Sequence, residues 1–364
     1  MKIEKAEFGI HTIELYAKDL KYQEVQKVID HLAGEDNIRI MSSDPYNIDR
    51  HLTSTLLVNN GIRLRIHQSH DKSNGIAFII NPSTLLKGKY QPTKLYRPKE
   101  RSCEKLLEQV GDSLMEIGLG TYDGSEPVFI VSPDELSLSQ IDLTVNLWLD
   151  RETDIEELIR LFWKGRIPKN FSRQGGLSAV ERQHYFGISN RTVAFKAYDK
   201  IYELERNGRC PRKLTGEKLL RMEVSLKREA FLKKLEVERQ DSLYTMLDAG
   251  FNLVREVIFH YLEKLFPCSG NHVRYEIAKE EILNGIEAPL LQEQMLFLLR
   301  KTSDGAGLDT AAQKLKKDYK DVKDKRMKKI YSAFDTLDIN PITLPNSSKV
   351  AQLPSIKTVD ELIF

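Results

Sequence analysis

Cysteine is scarce in this sequence, and its three cysteines lie far apart. Cys103, Cys210 and Cys268 form no Cys-x-x-Cys pair, which argues against a zinc site and against a disulfide framework. No apolar run approaches the roughly 20 residues that a membrane-spanning helix requires. The opening stretch MKIEKAEFGIHTIEL is charged and then alternating, unlike a signal peptide. We therefore expect a cytoplasmic protein with no membrane partner.

Several nucleotide-binding and hydrolase motifs are also absent. The sequence has no Gly-x-x-x-x-Gly-Lys-Ser/Thr loop, which disfavours an ATPase or a helicase, and Gly118 and Gly120 do not complete a Gly-x-Gly-x-x-Gly fingerprint. Neither His-Glu-x-x-His nor Gly-x-Ser-x-Gly occurs. Net charge is only +2, so a nucleic-acid-binding surface would have to be local.

The composition is that of a folded protein with more than one domain. The chain has 364 residues, of which 41% are hydrophobic and 30% are charged. Strand patterns dominate up to about residue 236, and helical patterns dominate after it. We expect an α+β fold, in which residues 1–236 form a catalytic domain with an antiparallel sheet and residues 237–340 form an all-α domain. The tail, residues 341–364, is expected to be loosely held.

Four predicted strands combine an apolar face with a polar face. Residues 62–67, 141–148, 193–200 and 220–226 each alternate with a period of two. This pattern predicts an antiparallel sheet with one solvated face, because parallel strands buried on both faces do not alternate. The polar positions include Arg63, Arg65, His67, Asp142, Lys196, Tyr198, Lys200, Arg221 and Glu223.

Tyr198 is the candidate nucleophile among these residues. It lies between Lys196 and Lys200, and a lysine that stabilises a phenolate makes attack on a DNA phosphate feasible near neutral pH. The phosphotyrosine product would conserve the energy of the backbone bond, so the strand could be rejoined without ATP. Tyr185, in the same stretch, is the rival nucleophile. Each of these residues also has a structural explanation as a solvated surface side chain.

Two carboxylates could hold a divalent metal ion. Asp142 and Glu223 supply hard oxygen ligands, and Mg²⁺ or Mn²⁺ is usually bound by one or two carboxylates together with phosphate oxygens. His67 could add a nitrogen ligand. The alternative for Glu223, which lies beside Arg221, is membership of a cross-strand ion pair.

A strongly basic segment lies near the end of the chain. Nine lysines and arginines fall between positions 314 and 329, with only three aspartates among them. The spacing predicts one helix over residues 310–334. One interpretation is a helix whose basic face is only solvated. The other is a helix that lies against DNA phosphates, as part of a helix-turn-helix with residues 308–312. The expected DNA contacts are Arg63, Arg65, Arg191, Lys316, Lys317, Lys320 and Lys328.

Residues 182–205, RQHYFGISNRTVAFKAYDKIYELE, resemble the YxGxxSRxxxxKxYxKxxEL stretch of the phage and plasmid replication proteins of the filamentous-phage gene II/X type. Three further stretches are similar to the same family and occur in the family's order. They are INPSTLLKGKY, SLSQIDLTVNL and LLRMEVSLKREAFLKKL. Weaker similarity extends over roughly residues 8–340.

The resemblance implies a rolling-circle replication initiator with a Rep or relaxase-like fold. Such proteins nick one origin strand with a tyrosine, remain attached to the 5′ end, later rejoin the displaced circle, and use a divalent metal. Carried over by position, Tyr198 is the nucleophile, with Lys196 and Lys200 beside it. Asp142 and Glu223 correspond to the metal ligands. The implied partners are origin DNA that is single-stranded at the nick, and a host helicase.

The sequence departs from the family pattern at several positions. Lys89 and Tyr90 stand where the family has His-Asn after the glycine, Gln140 stands where an arginine usually precedes the strand aspartate, and Asn190 replaces a serine. Two other functions therefore stay open. One is a non-catalytic DNA-binding initiator or repressor of a mobile element, and the other is a metal-dependent nuclease that uses water.

Overall fold

The computed structural model describes residues 1–33, 38–40, 47–52, 57, 60–69, 73–227, 229–238 and 240–359. The strands are β1 Ile3–Leu20, β2 Ile38–Ile40, β3 Asn47–Leu52, β4 Ile62–Ser69, β5 Asn74–Ile80, β6 Gly120–Asp123, β7 Glu126–Phe129, β8 Ser137–Leu149, β9 Ser172–Arg173, β10 Tyr185–Ser189, β11 Val193–Asp199, β12 Lys218–Lys227, β13 His272–Val273 and β14 Gln352–Leu353. The helices are α1 Tyr22–Leu32, α2 Pro82–Leu85, α3 Glu100–Glu116, α4 Ile155–Lys164, α5 Ala179–His184, α6 Lys200–Arg206, α7 Glu229–Leu235, α8 Leu243–Leu265, α9 Tyr275–Gly285, α10 Pro289–Ser303, α11 Leu308–Asp318 and α12 Asp324–Thr336.

The chain divides into two compact units, each built from separate segments. The first, here called the tyrosine unit, consists of Met1–Glu7, Val145–Glu223 and Arg255–Phe364. The second, here called the arginine unit, consists of Phe8–Thr144 and Val224–Val254. This division differs from the continuous boundary near residue 236 that the sequence suggested, because β1, β8 and β12 each supply residues to both units.

In the tyrosine unit the strand order is β8-β12-β11-β10-β9. The alternation predicted from Val193 is confirmed on β11, where Val193, Phe195 and Ala197 are buried. Phe162 of α4 packs beneath these strands, with ring centroids 5.6 Å from Phe186 and 6.0 Å from Phe195. An aromatic core therefore fixes the inner face of the β10–β11 hairpin, and the opposite face is left to polar side chains.

In the arginine unit the strand order is β2-β3-β4-β5-β1, and the pairs with a defined register are antiparallel. The predicted alternation of residues 62–67 is confirmed, since Ile62, Leu64 and Ile66 are buried while Arg63 is exposed. Residues Tyr22–Leu32 form the helix α1 of this unit, whose Val25 and Val28 are buried.

A large antiparallel sheet followed by a helical C-terminal region confirms the predicted α+β class. The C-terminal helices share one apolar core, to which Leu298 of α10, Leu315 of α11 and Ile330 of α12 contribute. Amphipathic helices of ordinary length need such a shared core, because they are marginally stable alone. Among the described residues, no helix is both long enough and apolar enough to cross a membrane.

The expectation of a solvated polar face is wrong for β8 and β12. Asp142 and Asn146 of β8 are buried, and so are Arg221, Glu223 and Ser225 of β12. Alternation reports which residues share a face but not whether water reaches that face. Several of these side chains have hydrogen-bond partners that offset the cost of burial: Asp142 accepts from Gln140, Asn146 accepts from Arg221, and Glu223 accepts from Tyr198.

Two expectations about the C-terminal region are also wrong. The single basic helix predicted over residues 310–334 is two helices, α11 and α12, separated by residues 319–323, where Tyr319 has extended backbone angles and Val322 is buried. The tail is not loosely held up to residue 359, because Ile342 and Leu344 are completely buried and β14 pairs with β13. Residues 360–364 lie outside the described part of the chain.

Candidate active site

Two tyrosines face each other across the β10–β11 hairpin. Tyr185 pairs with Tyr198 in the antiparallel register, and their ring centroids are 6.0 Å apart in a stacked arrangement. The next pair on this face is Gly187 with Lys196. A Cβ atom on Gly187 would lie 2.9 Å from the Tyr185 hydroxyl oxygen, so glycine at this position lets the Tyr185 side chain lie across the strand.

The Tyr198 hydroxyl donates a hydrogen bond of 2.7 Å to Oε1 of Glu223 on β12. Tyr198 is only 8% exposed, and Glu223 is 3% exposed. Burial and the adjacent Glu223 carboxylate raise the pKa of Tyr198 well above its usual value, although Arg221 opposes this shift. The phenol is therefore protonated at neutral pH, and the carboxylate is placed to accept its proton.

Two cations lie on either side of the Glu223 carboxylate. Lys196 Nζ is 3.9 Å from Oε2, and Arg221 Nη1 is 3.9 Å from Oε1. Arg221 is completely buried and donates from Nε to Oδ1 of Asn146 at 2.7 Å. A buried carboxylate is costly without a paired cation, so Arg221 offsets the charge that Glu223 brings into the interior.

The sequence predicts Lys200 on the strand, and this prediction is wrong. The strand ends at Asp199, whose Oδ1 accepts hydrogen bonds from the amides of Ile201 and Tyr202, and Lys200 is the first residue of the helix α6. An aspartate at an N-cap favours helix over strand at this point. Lys200 Nζ nevertheless lies 5.9 Å from the ring centroid of Tyr198 and bonds to Glu203. Burial lowers the pKa of Lys200.

Tyr185 is the more accessible of the two tyrosines. Its side chain is half-buried, and its hydroxyl donates to Oε1 of the exposed Gln174 at 2.5 Å. Burial raises the pKa of Tyr185, while the charge of Lys196 opposes that shift. The rival nucleophile is thus better placed to meet solvent, whereas Tyr198 is better placed to lose its proton to a carboxylate.

The predicted metal ligands do not form a ligand set. Among the described residues, no group of three His, Cys, Asp or Glu side chains is arranged to hold a metal ion. The Glu223 carboxylate is surrounded by a hydroxyl and two cations, which disfavour a divalent cation beside it. Asp142, in the arginine unit, accepts a hydrogen bond of 2.9 Å from Gln140, and His67 lies half-buried on β4 of that unit. The donors around Glu223 therefore do not fit a divalent ion.

The predicted DNA contacts fall in several places. Arg63 is exposed on β4, but Arg65 donates from Nη2 to both carboxylate oxygens of Glu14, at 2.8 and 2.7 Å. Arg191 is exposed in the turn between β10 and β11. The remaining four are exposed on α11, on α12 or in the connection between them, and are Lys316, Lys317, Lys320 and Lys328.

Sequence reasoning missed two residues near the tyrosine pair, Asn146 and Gln174. Arg221 is already among the polar positions predicted for its strand. Asn146 also occupies a polar position of its alternating strand, so the strand period could have identified it as a member of this face. Gln174, which accepts the hydrogen bond of Tyr185, lies in a segment without periodicity. No pattern in the sequence indicates it.

No family model and no curated protein matches this sequence. Among solved structures, the chain is similar to the rolling circle replication initiator protein from Geobacillus stearothermophilus, with 9% identity and a TM-score of 0.30. The likeness covers 71% of this chain and 85% of that chain. At this TM-score the likeness carries no argument about fold or function.

Proposed function

We propose that this chain is a DNA strand transferase that initiates rolling-circle replication of a phage or plasmid. It nicks one origin strand through a tyrosine and later rejoins it. Two features support the proposal. Residues 182–205 resemble the corresponding stretch of the gene II/X-type initiators, and the fold groups Tyr185, Tyr198, Lys196 and Glu223 on one sheet face. The observation that carries the proposal is the Tyr198–Glu223 hydrogen bond.

The geometry supports a general-base role for Glu223. Its carboxylate lies within the 2.6–3.2 Å range in which a base can take a proton directly. As the Tyr198 oxygen attacks phosphorus, the phenol proton passes to Glu223, the Tyr–O–P bond forms, and the bond between phosphorus and the 3′ oxygen breaks. The leaving oxygen takes a proton from solvent and becomes a 3′-hydroxyl. Reversal of the same steps rejoins the strand.

Two lysines add positive charge where negative charge develops. Lys196 Nζ lies 3.9 Å from Glu223 and is partly exposed, so it can meet a phosphate oxygen. Lys200 Nζ lies beside the Tyr198 ring and stabilises a phenolate by its charge. The exposed lysines of α11 and α12 would hold DNA phosphates away from the reacting atoms.

Tyr185 is the alternative nucleophile, and its accessibility is the observation that favours it. In that case Tyr198 would support the Tyr185 ring from the neighbouring strand. Both assignments keep the same reaction and the same product. They differ only in which hydroxyl becomes esterified.

A single assay separates the functional classes. The protein is incubated with Mn²⁺ or Mg²⁺ and circular single-stranded DNA that carries a candidate origin, and denaturing gels are scored for a covalent adduct. We expect an adduct that is lost in Tyr198→Phe and kept in Tyr185→Phe. The matched control is Tyr122→Phe, because Tyr122 is 65% exposed and lies in the arginine unit.

The other outcomes are equally informative. Loss of the adduct only in Tyr185→Phe would transfer the nucleophile to Tyr185 and leave the function unchanged. Cleavage without an adduct would indicate a nuclease that uses water. Binding without cleavage would indicate a non-catalytic initiator or repressor, a function that the burial of Tyr198 favours. The cytoplasmic location and the host helicase stay predictions.

A further inference from the structure

A loop rich in arginine and lysine follows the helix that begins beside Tyr198. We propose that this loop, residues 207–213 and here called the basic loop, binds the sugar-phosphate backbone of single-stranded DNA on one side of the nick. The inference deepens the proposed function and rests on it for the position of the nick. The binding of DNA by the loop is tested separately.

The connection that contains the basic loop carries charge of one sign. It joins α6, which ends at Arg206, to β12, which begins at Lys218. Residues 207–216 read NGRCPRKLTG and include no carboxylate. The cations among them are all exposed, and they are Arg209, Arg212 and Lys213. Like charges that are close together repel one another, so a bound polyanion such as the DNA backbone relieves that repulsion.

The three cations of the basic loop form no ion pair with the rest of the protein. Among the described residues, no carboxylate lies within ion-pair distance of any of them. The cation just before the loop is different, because Nη1 of Arg206 lies 2.6 Å from Oε1 of Glu181. The carboxylate just after it, Glu217, lies 3.4 Å from Nη2 of Arg151. The loop cations can therefore bind phosphate without breaking an existing ion pair.

Backbone hydrogen bonds fix the shape of the basic loop. The amide of Arg209 donates to the carbonyl oxygen of Leu204 at 2.9 Å, and Gly208 has a φ of +64°, the left-handed conformation that commonly ends a helix. Pro211 then leads into a single 3₁₀ turn, in which the amide of Leu214 donates to the carbonyl oxygen of Pro211 at 2.8 Å. A loop that is ordered before its ligand arrives loses little conformational entropy on binding.

The chain length between the tyrosines and the basic loop limits their separation. Lys200, the first residue of α6, has its ammonium group beside the Tyr198 ring. The seven residues of α6 span about 10 Å, and residues 207–210 add at most about 14 Å. The backbone of the loop therefore lies within about 24 Å of the start of α6. Such a distance places it several nucleotides from the scissile phosphate.

Other cations continue the same line along the β10–β11 hairpin. Arg191 is exposed in the turn of the hairpin, which is the end opposite to the tyrosine pair. Lys196 lies between that turn and the tyrosines and pairs with Gly187. A DNA strand laid along the hairpin would thus meet positive charge at the turn, at the reacting atoms and at the basic loop.

The first test is the salt dependence of binding to a labelled single-stranded oligonucleotide that carries a candidate origin, followed by fluorescence anisotropy. The variant removes the three loop cations together, as Arg209→Gln/Arg212→Gln/Lys213→Gln. We expect the slope of log K against log salt to fall by about two, because each phosphate contact with a single strand contributes about 0.7. A slope equal to that of wild type would overturn the proposal.

The matched control removes three exposed lysines of the arginine unit, as Lys18→Gln/Lys87→Gln/Lys105→Gln. It changes the net charge by the same amount as the loop variant and should leave the slope unchanged. If both triple variants reduce the slope equally, the effect comes from net charge and the basic loop is not a binding site.

A natural thiol gives a second test that needs no change in the loop cations. Cys210 lies within the basic loop and is half-buried, whereas Cys103 and Cys268 are buried. A photo-crosslinker attached to the Cys210 thiol reacts with DNA that lies against the loop. Cys210→Ser is the control for crosslinker attached elsewhere.

The crosslinked nucleotides are mapped in Tyr185→Phe/Tyr198→Phe, which leaves the DNA uncut, and compared with the nick made by wild type. We expect crosslinks on one side of the nick and within about seven nucleotides of it, since a strand advances about 3.4 Å per nucleotide. The absence of crosslinks, or crosslinks spread over both sides, would reject the loop as the binding site.

Failure of this inference and failure of the proposed function give different results. A reduced slope and a crosslink at Cys210, without any covalent adduct in wild type, would reject the strand transferase and keep the basic loop as a DNA site. A covalent adduct together with an unchanged slope would keep the strand transferase and reject the basic loop.

Discussion

The hydroxyl of Tyr198 and the carboxylate of Glu223 are joined by a 2.7 Å hydrogen bond between two buried side chains. The same bond has consequences for chemistry and for stability. It prepares a route for the phenol proton, and it supplies a donor to a carboxylate that has little contact with water. Substitutions at this bond should therefore change the free energy of unfolding whether or not DNA is present.

Tyr198→Phe should destabilise the protein by about 1–3 kcal/mol, because the buried Glu223 carboxylate loses its hydroxyl donor. Urea unfolding followed by circular dichroism measures this change. The matched control is Tyr185→Phe, which should cost about 1 kcal/mol or less, since the hydroxyl of Tyr185 bonds to the exposed Gln174. Equal losses in the two variants would contradict the importance of the buried bond.

Arg221→Met should cost more, about 3–5 kcal/mol, because it leaves the buried Glu223 carboxylate without its buried cation. The double variant Arg221→Met/Glu223→Gln also removes the buried carboxylate, so it should recover part of the lost free energy of unfolding. The free energies of unfolding of Arg221→Met, of Glu223→Gln and of the double variant complete a double-mutant cycle. Strict additivity would show that Arg221 and Glu223 do not depend on each other.

The sequence predicted the tyrosine face better than it predicted the surroundings of that face. Period-two alternation placed Val193, Phe195 and Ala197 on the buried side correctly, because side-chain direction in a strand follows from local geometry. The burial of Arg221 and Glu223 could not be read in the same way. Polar residues at alternating positions of a sequence predict a solvated face. Only the folded chain shows that such side chains are buried and interact with one another.

The ends of elements were harder to predict than the elements themselves. Lys200 continues the alternation of β11 in the sequence, but the Asp199 cap starts a helix there. The basic segment has helical composition throughout, yet it forms two helices, and Val322 is buried in the connection between them. In both cases a feature that is not periodic, a capping side chain or a buried residue in a connection, lies at the boundary, and periodicity carries no information about such a feature.

His272 should make stability fall with decreasing pH. Burial lowers its pKa to about 4, below the ordinary value near 6.5. The unfolded chain therefore binds the proton more readily, and the stabilising contribution that is complete above pH 6.5 is lost as pH falls toward 4. Between pH 7 and pH 5 we expect a loss of about 2 kcal/mol from this residue.

Urea unfolding at the two pH values, in wild type and in His272→Gln, isolates this contribution from that of other groups. Nδ1 of the ring donates a hydrogen bond of 2.7 Å to the carbonyl oxygen of Ile342, and a glutamine amide can keep that bond. We expect the variant to be less stable at pH 7 but to lose less stability on acidification. A parallel loss in both proteins would show that His272 does not titrate in this range.

Lys328→Gln should weaken binding to duplex DNA and reduce the slope of log K against log salt by about one, because an exposed lysine on a phosphate releases about one counterion. Lys316→Gln should reduce the slope by less, since Lys316 Nζ already lies 2.6 Å from Oδ1 of Asp324. Fluorescence anisotropy over a salt series measures both slopes. Lys105→Gln, an exposed lysine on α3, is the control and should leave the slope unchanged. If Lys105→Gln and Lys328→Gln reduce the slope equally, the α11–α12 pair is not the surface that holds DNA.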